Sequence, residues 1–267
     1  KEIFLSTYIC HPSMANNELS GPCVAIYLSK WLNSLKSRNY SYRIVFVPET
    51  IGSIAYLSKN YKKMKKNIIA GYQLTCLGDN RTYSFLPSRK ENSLSDNVAR
   101  HILKWTYKNY KTYSWLERGS DERQYNSPGI GIPVASIMRS KYGEYPEYHT
   151  SDDNLKKVVS PKGLQGGYEV IKKSIIAIEN NCYPLANILC EPMLSKRNLY
   201  PSYKKNDQTI SSDLADFKLM DFLSYCDGKN SLLEIAEKCK VPIWSLYPHL
   251  EILLKHKVIK KKRSTNS

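Results

Sequence analysis

A handful of short stretches hold the side chains of this chain that could bind a metal or move a proton. They are Cys10-His11-Pro12-Ser13, Asn16-Asn17-Glu18-Leu19-Ser20-Gly21, Pro48-Glu49-Thr50, Thr75 to Asp79, Gly119-Ser120-Asp121-Glu122-Arg123, and Glu147-Tyr148-His149-Thr150-Ser151-Asp152-Asp153. Zinc takes imidazole and carboxylate ligands at about 2 Å, and a nearby unligated carboxylate can accept a proton from activated water. Each stretch also has a plainer reading. A lone histidine is more often structural than a ligand. Glu49, placed by Pro48, suits a helix start, where the helix dipole favours an acid. Asp121 to Arg123 reads as a surface ion pair, and Asp152 and Asp153 read either as partners for the second ring nitrogen of His149 or as helix-start residues. A thiol dyad of Cys10 with His11 is disfavoured, because adjacent residues at a strand end point to opposite faces; Cys76 has no evident base.

The elements that must position these groups follow from periodicity. Glu2 to Ile9 reads as a buried strand, and Gly21 to Leu35 carries Val24, Ala25, Leu28, Leu32 and Leu35 at helical spacing. Tyr42 to Val47 reads as a strand, Ile51 to Leu57 as a short helix and Ile68 to Leu77 as a strand. Ser95 to Tyr107 reads as a helix, Pro133 to Met138 as a strand and Pro161 to Glu179 as a long helix. This alternation predicts an α/β fold, a mostly parallel, mixed sheet with helices on both faces. Ligands of such sheets bind beyond the carboxyl ends of the strands, where the chemistry-bearing stretches fall.

Near Pro192 to Tyr203 the periodicity lapses, with Pro192, Asn198, Pro201 and Ser202 marking a linker. Beyond it Asp216 to Cys226, Leu232 to Cys239 and Pro242 to Leu254 read as short amphipathic helices, with Lys257 to Lys260 as a wing strand. That is the pattern of a small winged helix. The expected division is 1–205, 206–262 and a basic tail at 263–267.

A hydrophobic fraction of 42% with 24% charged residues is globular. No apolar run reaches the roughly 18 residues a membrane span needs. The net charge of +16 lies in scattered Lys-rich stretches such as Tyr61 to Lys66 and Lys104 to Lys111, which suit solvated helix faces better than a nucleic-acid surface. Seven cysteines, an odd count without a close pair, point to reduced thiols and a cytoplasmic setting. Because Lys1 leads straight into a strand, the chain reads as a fragment lacking an N-terminal part.

The order of the motifs carries more than any one of them. A strand-end His, the Asn16-Asn17-Glu18-Leu19-Ser20-Gly21 loop in place of an N-D-N-x-S-G loop, a Pro-Glu-Thr-x-Gly-Ser turn, a Thr-x-x-Gly strand end, a Ser-Asp pair and a Tyr-His-Thr sequence resemble the zinc aminopeptidase and glutaminyl-cyclase-like exopeptidases over Glu2 to Glu179. Ser6 to Gly21, Val47 to Leu57 and Gly119 to Leu155, with a winged helix behind, resemble more closely the aminopeptidase-like bacterial proteins of surface-polysaccharide and flagellar-glycan gene clusters. The resemblance implies His11 and His149 as metal ligands and Glu49 as general base. It also puts neutral residues where acidic ligands would stand: Asn17 for the bridging aspartate, Thr50 for the second glutamate and Thr75 for the strand-end aspartate. Two close divalent ions need several anionic ligands, so the expectation is one zinc ion, held by His11 and His149 with a third ligand from Asn17, Glu18, Asp121 or Glu122.

A metal-dependent, aminopeptidase-like hydrolase acting in surface-glycan biosynthesis is one reading. A catalytically reduced protein that keeps the pocket for an amino- or sugar-derived ligand is the other. Either takes a small or peptide-like ligand and no membrane, with homo-oligomerisation left open. Nucleic acid is disfavoured, because the expected recognition segment Pro242 to Glu251 has no Lys or Arg to offer bases and phosphates.

Overall fold

The computed structural model describes residues 1–197, 199 and 219–262. It packs as two units, Lys1–Glu179 and Asn180–Ser267.

The first unit starts with β1 (Glu2–Tyr8), in which every residue after Glu2 is buried. Such an unbroken run belongs to a strand covered on both faces. A five-residue π-turn, Ala15–Leu19, leads directly into α1 (Ser20–Ser34). Next come β2 (Ser41–Val47), α2 (Ile51–Asn67) and β3 (Ile68–Leu74). The sheet is completed by β4 (Ser84–Leu86), β5 (Lys111–Thr112) and β6 (Val134–Met138), with α3 (Leu94–Thr106), the single turn α4 (Glu122–Tyr125) and α5 (Pro161–Asn180) around it. Strand order is β2-β1-β3-β6-β4-β5. β1, β2, β3 and β6 run parallel, while β4 is antiparallel to β6. The expected α/β architecture is therefore present, with its carboxyl-end edge formed by the loops after β1, β2, β3 and β6.

Two elements differ from expectation for local reasons. Helix α2 continues past Leu57 to Asn67, because Leu57 and Met64 share a buried face while Lys62, Lys63, Lys65 and Lys66 stay in water. The Lys-rich run is thus a solvated helix face. β3 stops at Leu74, three residues early, because Cys76 turns into the left-handed region at φ 50°.

The second unit contains β7 (Tyr183–Ala186), α6 (Leu219–Ser224), α7 (Leu232–Cys239), α8 (Tyr247–Lys255) and β8 (Ile259–Lys262). It is a winged helix. Its core gathers Phe222, Leu232, Ile235, Ile243, Leu246 and Leu253, all buried. The wing strand pairs antiparallel with β7, so this unit begins upstream of the expected residue 206. Linker positions Asn198, Pro201 and Ser202, the boundary at 205/206, the expected helix start at Asp216 and the tail from Arg263 lie outside the described residues. No described helix is long and apolar enough to cross a membrane.

Helix α1 is brought hard against the sheet at Gly21. A Cβ there would stand 2.2 Å from the Leu74 carbonyl oxygen and 2.5 Å from Thr7 Oγ1. Gly21→Ala should therefore lower unfolding stability by about 1–3 kcal/mol, read from urea denaturation. Unchanged stability, or the gain of about 0.5–1 kcal/mol expected of Gly→Ala on a surface helix, would contradict this packing.

Candidate functional site

The loop after β1 leaves the sheet once Ile9 has donated its N–H to Val47 at 3.0 Å. The chain then folds onto one carboxylate. Glu18, 1% exposed, accepts the Cys10 N–H at Oε2 (2.7 Å) and both His11 Nδ1 (3.0 Å) and Asn17 Nδ2 (2.8 Å) at Oε1. One sulfur, nitrogen and oxygen atom of Cys10, His11 and Glu18 lie within 4.8 Å of one another. The expectation that Cys10 and His11 diverge is overturned. Strand alternation ends at Tyr8, and beyond it Glu18 draws both residues to the same side. No hydrogen bond from the His11 ring to the thiol accompanies this, so a nucleophile and base pair is not formed among the described residues.

His149 arrives from the loop after β6. Its ring centroid is 4.4 Å from that of His11, and its other face stacks on Tyr148 at 3.9 Å. Partial desolvation and then the neighbouring His11 push the His149 pKa down, towards the neutral imidazole that metals bind. The backbone of His149 is held at φ 57°, Thr50 at 61° and Cys76 at 50°, a left-handed conformation that is costly for a β-branched residue such as Thr50.

The second acidic group forms around the start of α2. Asp121 Oδ1 accepts the Thr50 N–H and the Ser53 hydroxyl, each at 2.8 Å, while its buried Oδ2 has no partner among the described residues. Glu122 takes the Gly119 and Ser120 N–H groups and the Tyr142 hydroxyl on Oε1. The neighbouring Glu49 is half-buried. Burial first, and then the charge of Asp121, raise its pKa to about 7.

The neutral residues noted in the sequence are already engaged. Asn17 gives its amide N–H to Glu18 and accepts from the Tyr8 hydroxyl at 3.1 Å; that hydroxyl also meets Thr75 Oγ1 at 2.6 Å. Thr50 Oγ1 accepts from Arg123 at 2.8 Å. Asp153 does not serve His149: its carboxylate accepts the N–H groups of Asn16 (2.7 Å) and Asn17 (3.0 Å) and the Tyr145 hydroxyl (3.0 Å), capping the π-turn. Asp152 pairs with Lys157 instead. Asp79 ties the loop after β3 to Asn16 and to Ser140 beyond β6. Buried acids thus staple the strand-end loops together.

The donor chemistry fits one divalent cation. A thiol, an imidazole and a carboxylate converge, with the His149 ring beside His11, and such donors suit zinc. It does not fit two, because Asn17, Thr50 and Thr75 bring no charge and already bond to protein groups. Of the residues put forward from the sequence, His11 and His149 are brought together, Glu49 stands beside Asp121, and Asp121 is not in the Cys10, His11 and Glu18 group. Sequence reasoning missed the roles of Cys10 and Asp153. Neither sits at a position that periodicity distinguishes.

Comparisons with known proteins bear on the family and the fold. Residues 1–181 match the family described as Domain of unknown function (DUF4910), and residues 182–261 match a winged helix-turn-helix family. A Clostridium acetobutylicum protein, named for polysaccharide biosynthesis and an aminopeptidase-like domain, is 42% identical over 239 residues, 89% of this chain and 54% of its own length. A solved C. acetobutylicum protein assigned to the peptidases aligns with TM-score 0.87 at 38% identity, covering 98% of this chain and 57% of the other. The zinc aminopeptidase of Bacillus subtilis shares the fold, with TM-score 0.57 at 17% identity over 67% of this chain and 46% of the other. This chain therefore spans little more than half the length of its two Clostridium relatives.

Two outcomes test the site in metal-free protein. Asp153→Ala leaves two buried N–H groups and a tyrosine hydroxyl unpaired and should cost about 1–3 kcal/mol in urea unfolding; an unchanged midpoint would contradict the capping role. The folded protein holds the Glu49 proton more tightly (pKa about 7) than the unfolded chain does (4.5), so stability is lost as pH rises through that window. Glu49→Gln should gain thermal stability over the parent as pH goes from 5 to 8. A difference independent of pH would refute the raised pKa.

Proposed function

The chain belongs to the DUF4910 family of aminopeptidase-like proteins, and from that premise we propose that it is a metal-dependent hydrolase cleaving an amide-linked group next to a free amine, with a single zinc ion. The observation that carries the reading is the His11 ring held on the buried Glu18 and packed beside the His149 ring, with Glu49 poised near neutral pH. His11 and His149 would hold the ion. When bound, it would supply Lewis acidity that polarises the scissile carbonyl and acidifies water.

The chain's own groups divide the remaining work. Glu18 accepts the His11 Nδ1 proton and so fixes the ring's tautomer and direction, since an ionised carboxylate can only accept. Glu49 takes the proton of the attacking water and returns it to the leaving amine. A pKa raised by burial and Asp121 makes it a stronger base than an exposed glutamate, yet still ionised in part at neutral pH. Asn17 acts as a brace for Glu18, and Asp121 shapes the Glu49 environment. Tyr148, stacked on His149, holds that ring in place.

The name of the C. acetobutylicum relative supports a setting in polysaccharide biosynthesis, with an amino- or sugar-derived substrate. The winged helix is assigned to protein contact, because Pro242 to Glu251 lacks basic side chains. A second reading, ligand binding without turnover, is favoured by the neutral Asn17, Thr50 and Thr75.

Zinc-loaded protein should release amine from a panel of amino-acid amides and aminoacyl sugars. Glu49→Gln should slow release by about 10²–10⁴-fold while zinc content is kept, and His149→Ala should lose zinc and activity together. Equal turnover by Glu49→Gln would sink the hydrolase reading, and saturable binding of a panel member with no turnover would favour the second.

A further inference from the structure

We infer that Cys10 is the third protein ligand of the single-cation centre, which two imidazoles and a thiolate hold while Glu18 positions them; this rests on the reading of His11 and His149 as ligands. Consecutive residues rarely serve one ion from a strand. Here they do not sit on one: β1 ends at Tyr8, and the Cys10 N–H and the His11 ring are fastened to the two oxygens of the same carboxylate. Cys10 is exposed and in no disulfide, and its sulfur lies in the 4.8 Å group with His11 and Glu18. Bond lengths of about 2.0–2.3 Å at tetrahedral angles set ligand atoms roughly 3.3–3.7 Å apart, so Cys10 and His11 must draw in by about an ångström, and His149, outside that group, must turn in from its place beside His11.

The competing donors are either occupied or outside the group. Glu18 already accepts three N–H groups, the Asn17 amide is spent on Glu18 and Tyr8, and Asp121 stands with Thr50 and Ser53 outside the group. Charge gives an independent reason. With neutral Asn17, Thr50 and Thr75, a centre of two imidazoles would carry the full charge of a divalent ion; a thiolate restores one negative charge in direct contact with it. The thiol proton leaves to solvent on binding. Three protein ligands also leave the fourth position open, as hydrolytic chemistry requires. Such a set selects zinc, cobalt and cadmium over magnesium and manganese.

Cobalt(II) reports the ligand directly, without turnover. The reduced protein loaded with cobalt should show visible d–d absorption together with an intense near-ultraviolet thiolate-to-cobalt charge-transfer band. Cys10→Ser should lose that band and keep the visible absorption, Cys23→Ser, a change at another exposed cysteine, should keep both, and His149→Ala should lose both. Visible absorption without the charge-transfer band in the parent, or a band that survives Cys10→Ser, would overturn the thiolate ligand and leave the histidine site standing. Failure to bind cobalt at all would overturn both.

Discussion

A carboxylate withdrawn from water must be met by hydrogen-bond donors or by positive charge, and the candidate site is organised around that demand at Glu18. It is 1% exposed, and its ion-pair partner among the described residues is His11. Three N–H groups reach it, from a backbone, an imidazole and an amide. Satisfying it pulls the loop after β1 back over the start of α1, and this places Cys10 and His11 together. Satisfying Asp153 in turn fixes the π-turn that carries Glu18.

The same logic explains the neutral residues. Asn17 and Thr75 lie on a chain of hydrogen bonds running through Tyr8, where charged side chains would repel the acids already buried nearby. The site has traded the charge needed for a second cation for a rigid polar scaffold. Glu49 stands partly buried beside Asp121, and its raised pKa results first from that burial and then from the Asp121 charge. Backbone strain at Thr50, Cys76 and His149 is sustained because each residue is tied into this network or its neighbours.

Much of the fold was legible because its strands are buried on both faces and its helices have clear apolar stripes. Glu2 to Ile9 and Pro133 to Met138 read directly as strands, each one residue longer than β1 and β6. The end of α2 was not, since four lysines around Met64 mask a helix that one buried side chain continues. The motif order marked His11, Glu49 and His149 because each follows a strand. Alternation along β1 misplaced Cys10, because its last step past Tyr8 is set by a long-range contact to Glu18 that no local pattern encodes. Asp153 was read as either ring partner or helix start, and it caps a turn 136 residues away in sequence. The partner of the wing strand was likewise missed, since β7 is four residues long and includes Pro184.

Calorimetric titration of zinc into chelator-treated protein tests the account most directly. It predicts one site per chain, weakened about 10–100-fold by Glu18→Gln, which removes an acceptor without removing a ligand. Two sites per chain, or an affinity indifferent to Glu18→Gln, would contradict a single centre braced by that carboxylate.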